Sequence, residues 1–108
     1  MSEATEQLQA HKTSKRIRGE ERRFTAAEDY YECAVFARLH GFTLRQCCDS
    51  HYQIYPVDRQ WLLNIYPGNL RLQYEKDHRG PRVSVKADWQ LMDVVKAVIL
   101  LDDPNATL

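Results

Sequence analysis

Apolar positions recur at three- and four-residue spacing from Ala27 to Leu39, at every second residue through most of Phe42 to Tyr74, and at helical spacing again from Leu91 to Ile99. The first period predicts a helix with Ala27, Tyr30, Tyr31, Ala34, Val35 and Leu39 as its buried stripe and Glu28, Asp29, Glu32 and Arg38 largely off it. Thr25-x-x-Glu28 has the form of a capping box and places the helix start there. Gly41 supplies the left-handed stop. The second period predicts strands. Phe42, Leu44, Gln46 and Cys48 share one face of the first, with Thr43, Arg45 and Cys47 on the other. A turn at Asp49-Ser50 leads to a strand over Tyr52 to Tyr55, and Pro56 to Arg59 makes a second turn. Gln60 to Tyr66 is the most apolar strand and belongs at the centre of its sheet.

Pro67-Gly68-Asn69 reverses the chain again, since proline presets φ and glycine or asparagine accepts positive φ. Leu70, Leu72 and Tyr74 then alternate with Arg71, Gln73 and Glu75 in a half-buried strand that turns polar over Glu75 to His78. Arg79-Gly80-Pro81 is another break, and Arg82 to Lys86 alternates as an edge strand or an extended connector. Asp88 can cap a last helix that buries Leu91, Met92, Val94, Val95, Val98 and Ile99 and ends at Asp102-Asp103-Pro104. The expected fold class is α+β. Its order is α-β-β-β(-β)-α, an antiparallel sheet of three or four strands with both helices packed on one face. The free face would mix Arg45, Gln53, Asn64 and Arg71 with tyrosines.

Residues 1–23 are polar, with Leu8 and Ile17 as the only sizeable apolar side chains, too little buried surface to offset the entropy of ordering. That stretch is expected to be a disordered or partly helical arm, 24–103 a single domain, and 104–108 a short tail. Net charge is zero at neutral pH. Six Lys or Arg nevertheless fall between His11 and Arg23, against Glu20 and Glu21, while from Phe24 onward nine basic residues face eleven acidic ones. Affinity for a polyanion must therefore come from the arm or from a local patch. The longest apolar run, Val94 to Leu101, contains Lys96 and is far short of a bilayer span. Met1 to Ala10 has no apolar signal core, and three cysteines, two of them adjacent, make a poor disulfide framework. A cytoplasmic location is the expectation.

Chemistry centres on His51. Histidine titrates near neutrality, and beside a turn it can serve as general base or acid. A ribose 2′-hydroxyl deprotonated by His51 attacks the adjacent phosphate, with Arg45 or Arg71 neutralising the charge that develops and Asp49 and Ser50 orienting the imidazole. The bland alternative is a hairpin histidine bonded to a backbone carbonyl. Cys47, Cys48 and His51 suggest zinc, completed by Cys33, His40 or His78, yet adjacent strand residues point to opposite faces and no Cys-x-x-Cys pair exists. No metal and no cofactor is expected. Tyrosines 30, 31, 52, 55, 66 and 74 and tryptophans 61 and 89 can stack on bases where they reach an open sheet face, although most aromatics at these periods are core.

Leu39-His40-Gly41-Phe42, Leu44-Arg45-Gln46 and Asp49-Ser50-His51-Tyr52 together resemble the HicA toxins, small ribonucleases of bacterial toxin–antitoxin pairs with a double-stranded-RNA-binding-domain-like fold. The similarity covers about 30 residues in motif and about 75 in element order. Such toxins usually carry Gly-Ser-His where this chain has Asp49-Ser50-His51, and Trp61 to Asp77 is longer than the family's third strand. The resemblance implies His51 as the catalytic residue and a small antitoxin as partner; the activity expected is that of a metal-independent endoribonuclease, with Arg45, Ser50 and Arg71 as the residues expected on the nucleic acid. The rival expectation is a non-catalytic module that pairs with a protein through its sheet face or edge.

Overall fold

A computed structural model describes residues 3–75, 82–84 and 89–108, and side chains for 16–75 and 89–108. The element order is α1 (Glu3–Leu39), β1 (Phe42–Cys48), β2 (His51–Pro56), β3 (Leu62–Tyr66), a 3-10 turn (Pro67–Asn69), β4 (Arg71–Glu75), β5 (Arg82–Ser84) and α2 (Leu91–Asp102). The strands form one antiparallel meander in the order β1-β2-β3-β4-β5. The class is α+β, with four main strands and a three-residue fifth where an edge strand or connector was expected. The turn over 76–81, residues 85 and 86 of that last strand, and Asp88 lie outside the described residues.

α1 corrects two expectations. It begins at Glu3, not at Thr25, so the arm expected to be disordered or partly helical is helical from Glu3 onward. The segment is rich in Ala, Glu, Gln, Lys and Arg, which favour helix without any cap at Thr25. At about 1.5 Å per residue a helix of 37 residues measures about 55 Å, which accounts for the 56 Å long axis of the molecule. The expected stripe is buried only in part, at Tyr30 and Ala34. Ala26, Cys33 and Ala37 face the sheet, whereas Tyr31 and Leu39 are 79% and 77% exposed. Small side chains let the helix axis approach the sheet, with Tyr30 and Phe36 packed at the margin of the core and Tyr31, Val35 and Leu39 left exposed.

β1, β2 and β3 contribute alternate residues to a core shared with both helices, and Leu72 of β4 packs against it. Phe42, Leu44, Tyr52, Ile54 and Ile65 meet Ala26, Cys33 and Ala37 of α1 and Leu91, Val94, Val95, Val98 and Ile99 of α2. Tyr52 pairs with Ile65 and Ile54 with Leu63, so these side chains share a face and both helices cover it. The α2 face is the expected one, with Met92 packed at its margin. Its start is Leu91, where the Asp93 carboxylate accepts the Gln90 backbone N–H at 2.7 Å, the reciprocal half of a capping box. Gly41 does stop α1, at φ 86°. At the β1 edge, the Tyr30 hydroxyl donates to the Leu44 carbonyl at 3.2 Å and occupies one acceptor that another strand could use.

Cys33 sits in this core, and burial, followed by the nearby Asp29, Glu32 and Asp93 carboxylates, pushes its thiol from 9.0 up to about 11. Between those values the unfolded chain releases the proton and the folded chain retains it, so stability falls as pH rises through that window. Denaturant unfolding at pH 8 and pH 10.5 is expected to show this loss in the wild type and less of it in Cys33→Ala. Equal pH dependence in the two proteins would contradict the assignment.

Candidate functional site

The face away from the helices is a polar lattice set by register. Arg45 pairs with Gln53, Gln53 with Asn64, Asn64 with Gln73, and Gln73 with Arg82, so one row crosses all five strands. The neighbouring row contains His51, Tyr66 and Arg71, with Tyr66 paired to Arg71 and Arg71 to Ser84. The open face therefore carries Arg45, Gln53, Asn64 and Arg71, the set expected from the alternation, together with Tyr55 and Tyr66. Arg45 and Arg71 are exposed, while Gln53, Tyr55, Tyr66 and Gln73 are half-buried. Arg59, held at φ 55° after the β2–β3 turn, places its guanidinium 5.1 Å from the Tyr55 ring centroid.

His51 is the first residue of β2, and its neighbour Tyr52 is wholly buried on the helix side, which turns the imidazole to the open face. Its ring stacks on Tyr66 at 4.7 Å between centroids and 12° between planes. Its Nε2 lies 2.7 Å from Asn64 Oδ1, and the same oxygen accepts from Gln53 Nε2 at 3.0 Å. An amide oxygen only accepts, so Nε2 carries the proton and Nδ1 of the neutral ring holds the lone pair. Asn64 is the buried polar residue of the described core, 2% exposed. Two donors converge on its oxygen, as burial of an amide requires.

Asn64 therefore orients His51, a role the sequence reading gave to Asp49 and Ser50. The Ser50 hydroxyl is instead 3.3 Å from Cys48 Sγ. The reason is a β-bulge: Gln46 pairs with Tyr52 and Cys48 with His51, leaving Cys47 as the extra residue, so the turn folds over Cys48. This also breaks the alternation expected of Gln46, Cys47 and Cys48. The Ser50 hydroxyl, then the Ser50 and His51 backbone N–H groups, stabilise the Cys48 thiolate and lower its pKa against burial and Asp49.

Of the expected site residues, His51 stacks on Tyr66, Arg71 is paired with Tyr66 across β3 and β4, Arg45 lies across the row beyond Gln53, and Ser50 stands apart in the turn. Of the residues named for zinc, His78 lies outside the described residues. Cys33 is in the core, and among the described residues no three His, Cys, Asp or Glu side chains gather to hold a metal ion. Among them, too, no helix is long and apolar enough to cross a membrane.

The turn between Tyr66 and Arg71 is held from α1. Arg22 Nε donates to the Pro67 carbonyl at 3.2 Å and Arg22 Nη2 to the Gly68 carbonyl at 2.8 Å. Gly19 lies directly beneath, where a Cβ would stand 3.0 Å from the Gly68 oxygen. This clamp was missed in the sequence. A glycine inside a run of strong helix formers is the available signal, because it marks a close backbone approach.

No family model, no curated protein and no solved structure matches this chain. The resemblance to HicA toxins thus rests on the short motifs around Gly41 and His51 and on element order.

Proposed function

We propose that the open sheet face binds single-stranded RNA and that His51 acts there as general base in its cleavage. The observation that carries the reading is the imidazole itself. It is fixed by Asn64 and Tyr66 on the face away from the core, with Nδ1 left as the basic nitrogen and Arg71 next to its stacking partner. Arginines and half-buried aromatics on an open antiparallel sheet suit splayed bases and phosphates. The chemistry needs a ribose. His51 Nδ1 takes the 2′-hydroxyl proton, the 2′-oxygen bonds to phosphorus, and the bond to the 5′-oxygen breaks, that oxygen taking a proton from solvent. The products are a 2′,3′-cyclic phosphate and a 5′-hydroxyl. Arg71 offsets the charge on the phosphorane oxygens.

Binding is tested by titrating a fluorescent single-stranded RNA at several salt concentrations. Affinity is expected to fall with salt, and Arg45→Ala and Arg71→Ala are each expected to reduce the slope of log K against log salt by about 0.7. Absence of binding at low salt ends the RNA reading. A second reading, a protein-interaction module, is favoured by the outer face of α1, where Ile17, Phe24, Tyr31 and Val35 recur at helical spacing and are 46%, 66%, 79% and 45% exposed. Salt-insensitive capture of a protein partner without RNA affinity would support it.

A further inference from the structure

We propose that Arg22, in the N-terminal half of α1, is a positioning residue for His51. This rests on the reading of His51 as a base, but its geometry stands independently. Arg22 sends its hydrogen bonds to the Pro67 and Gly68 carbonyls, not to His51. It acts through the 3-10 turn Pro67–Asn69, whose two ends are Tyr66 and Arg71. Tyr66 is the ring on which His51 stacks, and Arg71 is its partner across β3 and β4.

The turn is not held by its own sequence alone. It closes through the Leu70 N–H on the Pro67 carbonyl at 3.3 Å, with Leu70 at φ 51°, a left-handed conformation that a leucine adopts only when its surroundings impose it. The imposing contacts come from α1. Arg22 sends two N–H groups of one rigid guanidinium to two successive carbonyls, which a lysine ammonium cannot reproduce with the same geometry. Gly19 removes the Cβ that would push the turn away, and the Arg23 side chain lies against Gly68 on its other side. Helix and turn therefore form one rigid unit at the end of the sheet where β2 begins and β3 ends. Loosening it releases Tyr66, and His51 loses the ring that fixes its plane.

The test is imidazole NMR on the full chain, with histidine ring ¹⁵N and ¹H shifts reporting the tautomer and the Tyr66 ring current at His51. In the wild type the Nε2–H tautomer and a shifted His51 ring signal are expected. Arg22→Ala is expected to lose the ring-current shift, and Arg22→Lys to fail to restore it. RNA cleavage at saturating substrate should fall by on the order of tenfold to a hundredfold in both, through misplacement of the base. Val98→Ala, which destabilises the core far from the turn, serves as the control and is expected to leave the His51 signals in place. Should Arg22→Ala not fold, Arg22→Gln, which keeps a single donor, gives the same readout. Unchanged His51 ring signals in a folded Arg22 variant overturn the positioning role. A wild type that shows the predicted ring signals and their loss in Arg22→Ala, yet never cleaves RNA, overturns the base assignment and leaves the positioning role standing.

Discussion

His51→Ala is expected to lower RNA cleavage by about 10²- to 10⁴-fold, the contribution of a positioned general base, while RNA affinity changes little. The split follows from where the residue sits. The arginines proposed to meet phosphate, Arg45 and Arg71, are exposed on their own strands, β1 and β4. Single-turnover cleavage of a labelled RNA and equilibrium binding of its 2′-deoxy analogue separate the two quantities. Cleavage by His51→Ala at the wild-type rate would remove the catalytic assignment and leave a binding face. Asn64→Leu is the companion variant: it removes the acceptor for two donors at once and releases the imidazole from its tautomer, so a large loss of rate should accompany a loss of stability.

Ile65→Ala is expected to destabilise the fold by about 2–5 kcal/mol, a large share of the roughly 5–15 kcal/mol typical of a domain. Ile65 is fully buried on the middle strand β3, pairs with Tyr52 on one side and Leu72 on the other, and faces both helices. The same experiment tests the phase of α1. Ala37 is fully buried, so Ala37→Leu forces three extra carbons between helix and sheet and is expected to cost about 1–3 kcal/mol. Tyr31 is 79% exposed, so Tyr31→Ala should change stability by no more than about 0.5 kcal/mol. Urea denaturation of the three variants decides it. A destabilised Tyr31→Ala beside a neutral Ala37→Leu would place the expected stripe, not the observed one, against the sheet.

The strands and α2 were legible because their faces are written in large apolar residues at the right period. α1 was legible only at Tyr30 and Ala34, because its most buried positions are Ala26, Cys33 and Ala37, small residues that allow close approach, while Tyr31, Val35 and Leu39 carry a strong hydrophobic signal on the exposed side. The site was half legible. His51 and the polar row Arg45, Gln53, Asn64 follow from alternation once the hairpin is drawn. Asn64 as the orienting group does not, although an amide between Leu63 and Ile65 in the most apolar strand already demanded a buried partner.

By itself the sequence determined what depends on neighbours along the chain: the order of elements, the period of each strand, the stop at Gly41, the central place of β3 and the buried face of α2. Those are set by backbone geometry within a turn or two, where side-chain pattern and φ preference suffice. Tertiary structure decided the rest. The phase of α1, the bulge that hands Ser50 to Cys48, the convergence of His51 and Gln53 on Asn64, and the Arg22 clamp 45 residues from Pro67 all depend on register and on how closely two surfaces approach. Neither quantity is encoded in any local run of residues.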